Sequence, residues 1–255
     1  MKLGIMQPYF FPYIGYFQLI DSVDKFVIYD NLNYIKEGWM NKNKILKKNS
    51  EPLYIIVPLE KKSSYKKCNE IKIKTNGPWR KKMIKTIFFN YTKAPYFSEV
   101  FPIIEEIINY ETDYLSQLNS KSIIEICNFL EIDTKIEDNV DHYKAIENKL
   151  SVPNEELSYF FQDYKLNDHV RKVLRVFEIC RLEKASVFIN AIGGKELYHK
   201  KEFSRNNLDV FFINTHEIKY SQQSSTFFPH LSIIDVLMNC GKLYTQELMK
   251  RYSLL

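Results

Sequence analysis

The sequence predicts an α/β fold, with a mostly parallel sheet flanked by helices and a helical C-terminal portion. Three observations carry this expectation. Compact apolar runs of strand length recur along the chain, among them FVIYD, SVFIN and LDVFFINT. Between them lie longer stretches with apolar residues at helical spacing. The first two runs are separated by one helix-length segment, which is the spacing of a βαβ unit.

Lys2 to Met6 reads as the first strand and Asp24 to Asp30 as the second. Tyr13 to Ser22 forms the helix between them, since a proline such as Pro12 suits a first helical turn. Leu53 to Leu59 reads as a third buried strand, followed by a further strand in CNEIKIKT. From Trp79 the pattern turns helical, with Met83, Ile84, Ile87 and Phe88 on one face. A second helix places Leu115, Leu118, Ile123, Ile126, Cys127 and Leu130 inward. Lys135 to Glu156 is polar and interrupted, which predicts a loop or hinge. Asp168 is the expected cap of an amphipathic helix that turns Val170, Val173, Leu174, Phe177 and Cys180 inward. ASVFINAIGG predicts a strand and glycine turn, LDVFFINT another strand, and HLSIIDVLMNCG a helix stopped by Gly241. The expectation is one α/β domain over residues 1–255, with a helical subregion over 80–182.

Composition narrows the function class. A net charge of +5 over 255 residues is mild and forms no concentrated basic stripe, so no nucleic-acid partner is expected. No run of about 20 apolar residues exists, and Pro8 and Pro12 interrupt the aromatic N-terminal segment, so neither a membrane span nor a signal peptide is expected. Cys68, Cys127, Cys180 and Cys240 are widely spaced. That pattern fits reduced core thiols in a cytoplasmic protein better than disulfides or zinc ligands. No metal-ligand spacing, nucleophile elbow, dinucleotide fingerprint or P-loop is present.

In an open α/β sheet, ligands bind in the loops at the carboxyl ends of strands. After the first strand, QPYFFPYIGY offers the Gln7 amide and the tyrosines Tyr13 and Tyr16, with rings for stacking and hydroxyls for hydrogen bonds. An aromatic core corner is the competing reading. After the second strand, Asp30 can meet a ribose or orient a base. Tyr34, Lys36, Trp39, Asn41, Lys42 and Asn43 then make a surface suited to phosphates and stacking, or simply a solvated loop. Near the C-terminus, Tyr220, Gln222, His230 and Asp235 cluster in sequence. His230 is a candidate general acid or base, or a helix cap.

The segments MQPYFFPYIGYFQLI, LNYIKEGWMNKNKI, YTKAPYF, EICRLEKASVFIN, GGKELY and YSQQSSTFFPHLSIIDVLMNCG resemble the WbqC-like family, in order, over nearly the whole chain. That family is known mainly from bacterial gene clusters for O-antigen and other surface polysaccharides, so the resemblance implies a setting more than a reaction. At the level of fold, the first strand, loop and helix are also similar to nucleotidyltransferases and pantothenate synthetases. Tyr13-Ile14-Gly15-Tyr16 stands where those enzymes carry an ATP-binding H-x-G-H motif. Gly15 is kept and both histidines are replaced by tyrosine, which counts against adenylyl transfer.

These readings together predict an enzyme that modifies a nucleotide-linked amino sugar, by acyl or aminoacyl transfer to the amine. His230 or Asp30 would accept the proton, Asp235 is a further candidate catalytic residue, and lysines near Lys42 would hold the diphosphate. The cofactor is left open between an acyl donor and ATP. The alternatives are a non-catalytic sugar-nucleotide-binding accessory protein and an ATP-dependent ligase-like enzyme. A glycosyltransferase lacks a D-x-D motif here.

Overall fold

The computed structural model describes residues 1–48, 51–153 and 168–255. Strand β1 (Lys2–Met6) leads through helix α1 (Ile14–Asp21) to β2 (Lys25–Ile28), as the spacing predicts. A hairpin of β3 (Lys42–Leu46) and β4 (Pro52–Ile56) follows, then helices α2 (Trp79–Tyr91), α3 (Phe97–Asn109) and α4 (Leu115–Phe129). The chain returns to the sheet in β5 (Lys135–Glu137), then forms α5 (Lys144–Leu150) and α6 (Asp168–Leu182). It closes with β6 (Val187–Ala191), α7 (Lys200–Arg205), β7 (Asp209–Thr215), α8 (Ile233–Met249) and β8 (Tyr252–Leu254).

The main sheet runs in the order β5-β2-β1-β6-β7-β8. Every pairing is parallel except β7 with β8. From β1 the chain winds outward through β2 to β5, then returns to the other side of β1 as β6. Strand order therefore reverses between β1 and β6. In a doubly wound sheet that reversal opens a crevice at the strands' carboxyl ends.

Strand alternation divides the core between the two faces of the sheet. Phe26, Ile28, Ile189 and Ile213 point to one side, against α1, α3, α4 and α8. Leu3, Ile5, Val27, Phe188, Val210 and Phe212 point to the other, against α5, α6 and α7. Burial on both faces explains why these strands read as continuous apolar runs.

Several expectations need correction. The run Leu53–Leu59 is not a strand of the main sheet: β4 pairs with β3 in a separate two-stranded sheet, and its Tyr54 and Ile56 are half exposed. CNEIKIKT forms one 3-10 turn at Cys68–Glu70 and isolated bridges at Lys72 and Ile73. The polar stretch from Lys135 holds β5, paired to β2, and the short helix α5. Residues 154–156 of that stretch, and the capping side chain of Asp168, lie outside what is described. Phe88 is turned outward, where its ring meets those of Phe89, Phe97 and Phe101. Gly241 interrupts α8 rather than ending it, at φ 63 and ψ −169. No helix among the described residues is long and apolar enough to cross a membrane.

Candidate functional site

The aromatic-proline loop after β1 is a buried corner. Phe10 and Phe11 are fully enclosed, and Phe11 holds a left-handed φ of 41. Polar side chains from β3, α4, α1 and the start of α8 satisfy the loop's backbone. Asn43 Nδ2 donates to the carbonyls of Phe10 and Phe11 at 3.0 and 2.7 Å. Ser232 Oγ donates to the Phe11 carbonyl at 2.8 Å, and Asn119 Nδ2 donates to the Pro8 carbonyl at 3.1 Å. The Tyr16 hydroxyl donates to the Gln7 carbonyl at 3.0 Å. A loop satisfied in this way is rigid. It fixes Gln7 at the carboxyl end of β1, and the Gln7 amide donates to the Asn33 carbonyl at 3.2 Å.

Gln7 lines a cavity of about 710 Å³ at the crevice between β1 and β6. Its floor includes Met6, Tyr29 at the end of β2, and Asn190 near the end of β6. Glu147 of α5 and Arg171, Lys172 and Arg175 of α6 contribute from above, with Lys67 and Tyr198 at the sides. Among the described residues, four cationic side chains and one carboxylate line it. A lining of this charge balance favours anions.

The carboxylate is firmly held. Arg175 Nε donates to Glu147 Oε1 at 2.5 Å and its Nη2 to Oε2 at 3.1 Å, a two-pronged fork. The Tyr29 hydroxyl donates to the same Oε1 at 2.5 Å. Burial, then the hydrogen bond to Glu147, raises the Tyr29 hydroxyl above its ordinary range, so it serves as a proton donor here. Arg171 donates to the carbonyls of Leu150 and Val152, tying α6 to the end of α5. Asn190 Oδ1 accepts from the Ala191 backbone at 2.7 Å, which directs its NH₂ group away from the strand.

The other candidate residues lie elsewhere. Asp30 does not line the cavity, although its neighbours Tyr29 and Asn31 do. Burial raises its carboxyl above the usual carboxylate range, against hydrogen bonds from Ser116 and Asn69. Tyr34 is fully buried and donates to Asn41 Oδ1 at 2.8 Å, while Asn41 Nδ2 donates to the Val57 carbonyl at 2.9 Å. Lys36 is exposed. Trp39 and Lys42 belong to the outer face of the hairpin. The Tyr13 ring lies over Gly15, where an added Cβ would come within 2.2 Å of the Tyr13 hydroxyl. The space that a phosphate would need at Gly15 is thus filled by the chain itself. His230 is exposed, sits at φ 56 and meets the Tyr13 ring edge-on at 5.8 Å.

Asp235 forms a separate, fully buried centre. The Tyr91 hydroxyl donates to its Oδ1 at 2.6 Å and the Tyr220 hydroxyl to its Oδ2 at 2.7 Å. Gln222 Nε2 donates to Oδ2 at 3.3 Å. These contacts tie the segment before α8 to α2. Burial raises the Asp235 carboxyl although all three donors pull it down. Burial likewise pushes the Cys68 thiol, beside Gln7, up to about 12, so it is a poor nucleophile. No group of three His, Cys, Asp or Glu side chains suited to a metal occurs among the described residues.

Of the sequence candidates, then, only Gln7 lines the cavity. Tyr29, Lys67, Glu147, Arg171, Arg175 and Asn190 were not singled out in the sequence. Two signals were available. Asn190 is the polar residue that ends the apolar run SVFIN, near the carboxyl end of a predicted strand, and Arg171 and Arg175 stand four apart on an amphipathic helix, hence on one face.

The chain is 27% identical over 243 residues to the Uncharacterized protein Rv1507c of Mycobacterium tuberculosis, an alignment that covers 94% of each chain. No solved structure matches it. The family model described as the WbqC-like protein family matches residues 7–247, from the cavity's Gln7 to the last turns of α8. The chain belongs to the WbqC-like protein family.

Proposed function

We propose that this protein binds a nucleotide-linked amino sugar in the cavity between β1 and β6, and transfers an acyl or aminoacyl group to the sugar amine. The observation that carries the reading is the cavity itself. At about 710 Å³ it suits a ligand of that size, and Lys67, Arg171, Lys172 and Arg175 give it a cationic lining at a strand-order reversal. Gln7 and Asn190 add amides of the kind that read hydroxyls and base edges. The surface-polysaccharide setting implied by the family points to a sugar nucleotide among anionic ligands.

In the reaction, the amine nitrogen attacks the carbonyl carbon of the acyl donor. A carbon–nitrogen bond forms, the bond to the donor's leaving group breaks, and the amine gives up one proton. Glu147, oriented by Arg175 and Tyr29, is the carboxylate within the cavity among the described residues, and we assign it the proton. A coenzyme A thioester, an adenylate or a carrier-bound acyl group would each serve as donor.

The commitment of both Glu147 oxygens to Arg175 and Tyr29 favours a second reading, a sugar-nucleotide-binding protein that performs no chemistry. Thermal unfolding against ATP, coenzyme A and UDP-, dTDP- and GDP-linked sugars, with and without amino groups, tests the ligand. The midpoint should rise selectively with amino sugars. A rise with ATP alone supports the ligase-like alternative instead. Incubating the shifting sugar with acyl donors then separates enzyme from binding protein: N-acylated product without any partner protein supports transfer.

A further inference from the structure

The β3–β4 hairpin carries a face that the cavity does not use. Residues 31–67 hold nine lysines against three glutamates, with no aspartate and no arginine. Their surplus of six positive charges exceeds the +5 of the whole chain, so the remainder is close to neutral and the charge is concentrated here, contrary to the expectation of no concentrated basic stripe.

The antiparallel register sorts these residues by face. Lys42 lies opposite Ile56 and Lys44 opposite Tyr54, while Asn43, Ile45 and Ile55 between them are buried. Lys44 Nζ sits 5.3 Å from the Tyr54 ring centre and 5.8 Å from that of Trp39. Lys42 Nζ sits 5.6 Å from Tyr54. Trp39, Tyr54 and Ile56 are 42%, 48% and 49% exposed. Lys47 and Lys48 are exposed where β3 ends. Glu37 reaches Lys42 at 3.4 Å, and its own side chain is 92% exposed.

The strip is rigid beneath. Asn43 is bonded to the buried aromatic loop, and the β3 backbone is bonded to Ser232 and to the Tyr91 hydroxyl. Two rings with polar tips, an exposed β-branched Ile56 two positions along the strand from Tyr54, and lysine ammoniums over the rings match the headgroup level of a bilayer. A local excess of lysine is drawn to anionic lipid. A single-stranded nucleic acid would also meet rings and ammoniums. It would gain nothing from Ile56, however, and would find no arginine to grip phosphate bidentately.

We propose that this hairpin face docks the protein peripherally on an anionic lipid bilayer. The turn that bears Glu37 also carries Ile35, which is 48% exposed and lines the cavity, so the docking face adjoins the cavity rim.

Vesicle co-sedimentation of the full chain tests the proposal. Vesicles of phosphatidylcholine alone are compared with vesicles holding about a third phosphatidylglycerol. Binding to the anionic vesicles should be roughly tenfold stronger or more, and should weaken as salt rises. The Lys42→Glu/Lys44→Glu protein, shown to be folded by its thermal unfolding, should lose it. Vesicles should shift the tryptophan emission to the blue in the wild type but not in Trp39→Phe. The wild-type salt series and the Trp39→Phe comparison stand even if the charge reversals unfold the chain. Absence of binding to anionic vesicles at low salt overturns the proposal, as does equal binding by the folded charge-reversed protein. Binding of a single-stranded oligonucleotide through Lys42 and Lys44, with none to vesicles, overturns it in favour of a nucleic-acid surface.

Discussion

Asp235 shows how burial and hydrogen bonding compete at one side chain. Two tyrosine hydroxyls and an amide point at a carboxylate that is shut off from water. Burial wins, and the carboxyl is raised above its ordinary value. An acid raised in the folded state keeps its proton after the unfolded chain has lost it at about pH 4. Its stabilising contribution is therefore complete below that pH, and it is lost as pH rises through the raised folded value. Asp235→Asn keeps an acceptor for the tyrosines and removes the titration. Urea unfolding from pH 4 to 8 should show wild type losing stability relative to the variant as pH rises. A difference that stays flat with pH contradicts this account of Asp235.

At the scale of elements, α8 depends on its break. Gly241 adopts φ 63 and ψ −169, a region essentially closed to other residues. A Cβ there would stand 2.4 Å from the Tyr96 ring. That ring is anchored, because the Tyr96 backbone N–H donates at 3.1 Å to the Met238 carbonyl, inside the helix. Gly241→Ala should cost about 2–4 kcal/mol, the sum of backbone strain and crowding. Denaturant midpoints read the loss, and a cost below about 0.5 kcal/mol would show that α8 relaxes around the residue.

Sequence reading succeeded and failed at this scale for identifiable reasons. Strands β1, β2, β6 and β7 are buried on both faces and so announce themselves as apolar runs. The run containing β4 reads the same way because Tyr54 and Ile56 are apolar although half exposed, which hides its alternation. Strand β5 is three residues, KIE, and exists only through its pairing with β2. No local pattern marks a strand that tertiary contacts create.

For the whole molecule, legibility ends where distant segments meet. Gln7 stands out in the sequence because it follows the first strand. Arg171, Arg175 and Glu147 reach the same cavity from helices more than 130 residues later, and periodicity does not say which strand end a helix will cover. The asparagines Asn41 and Asn43 and the tyrosines Tyr16 and Tyr34 read as ligand groups, yet their hydrogen bonds go to the protein's own loops. A buried loop must satisfy its backbone, and these polar side chains do so.

The cavity between β1 and β6 is proposed as the place where a nucleotide-linked amino sugar binds. Its most direct test is the thermal unfolding of wild type and of Gln7→Ala/Lys67→Ala, each with and without a saturating UDP-linked amino sugar. Wild type should rise by about 5 °C or more, and the variant, with a ligand-free midpoint within about 2 °C of wild type, should not rise. An equal rise in both proteins would put the ligand elsewhere, and no rise in wild type would contradict the assignment of that ligand to this cavity.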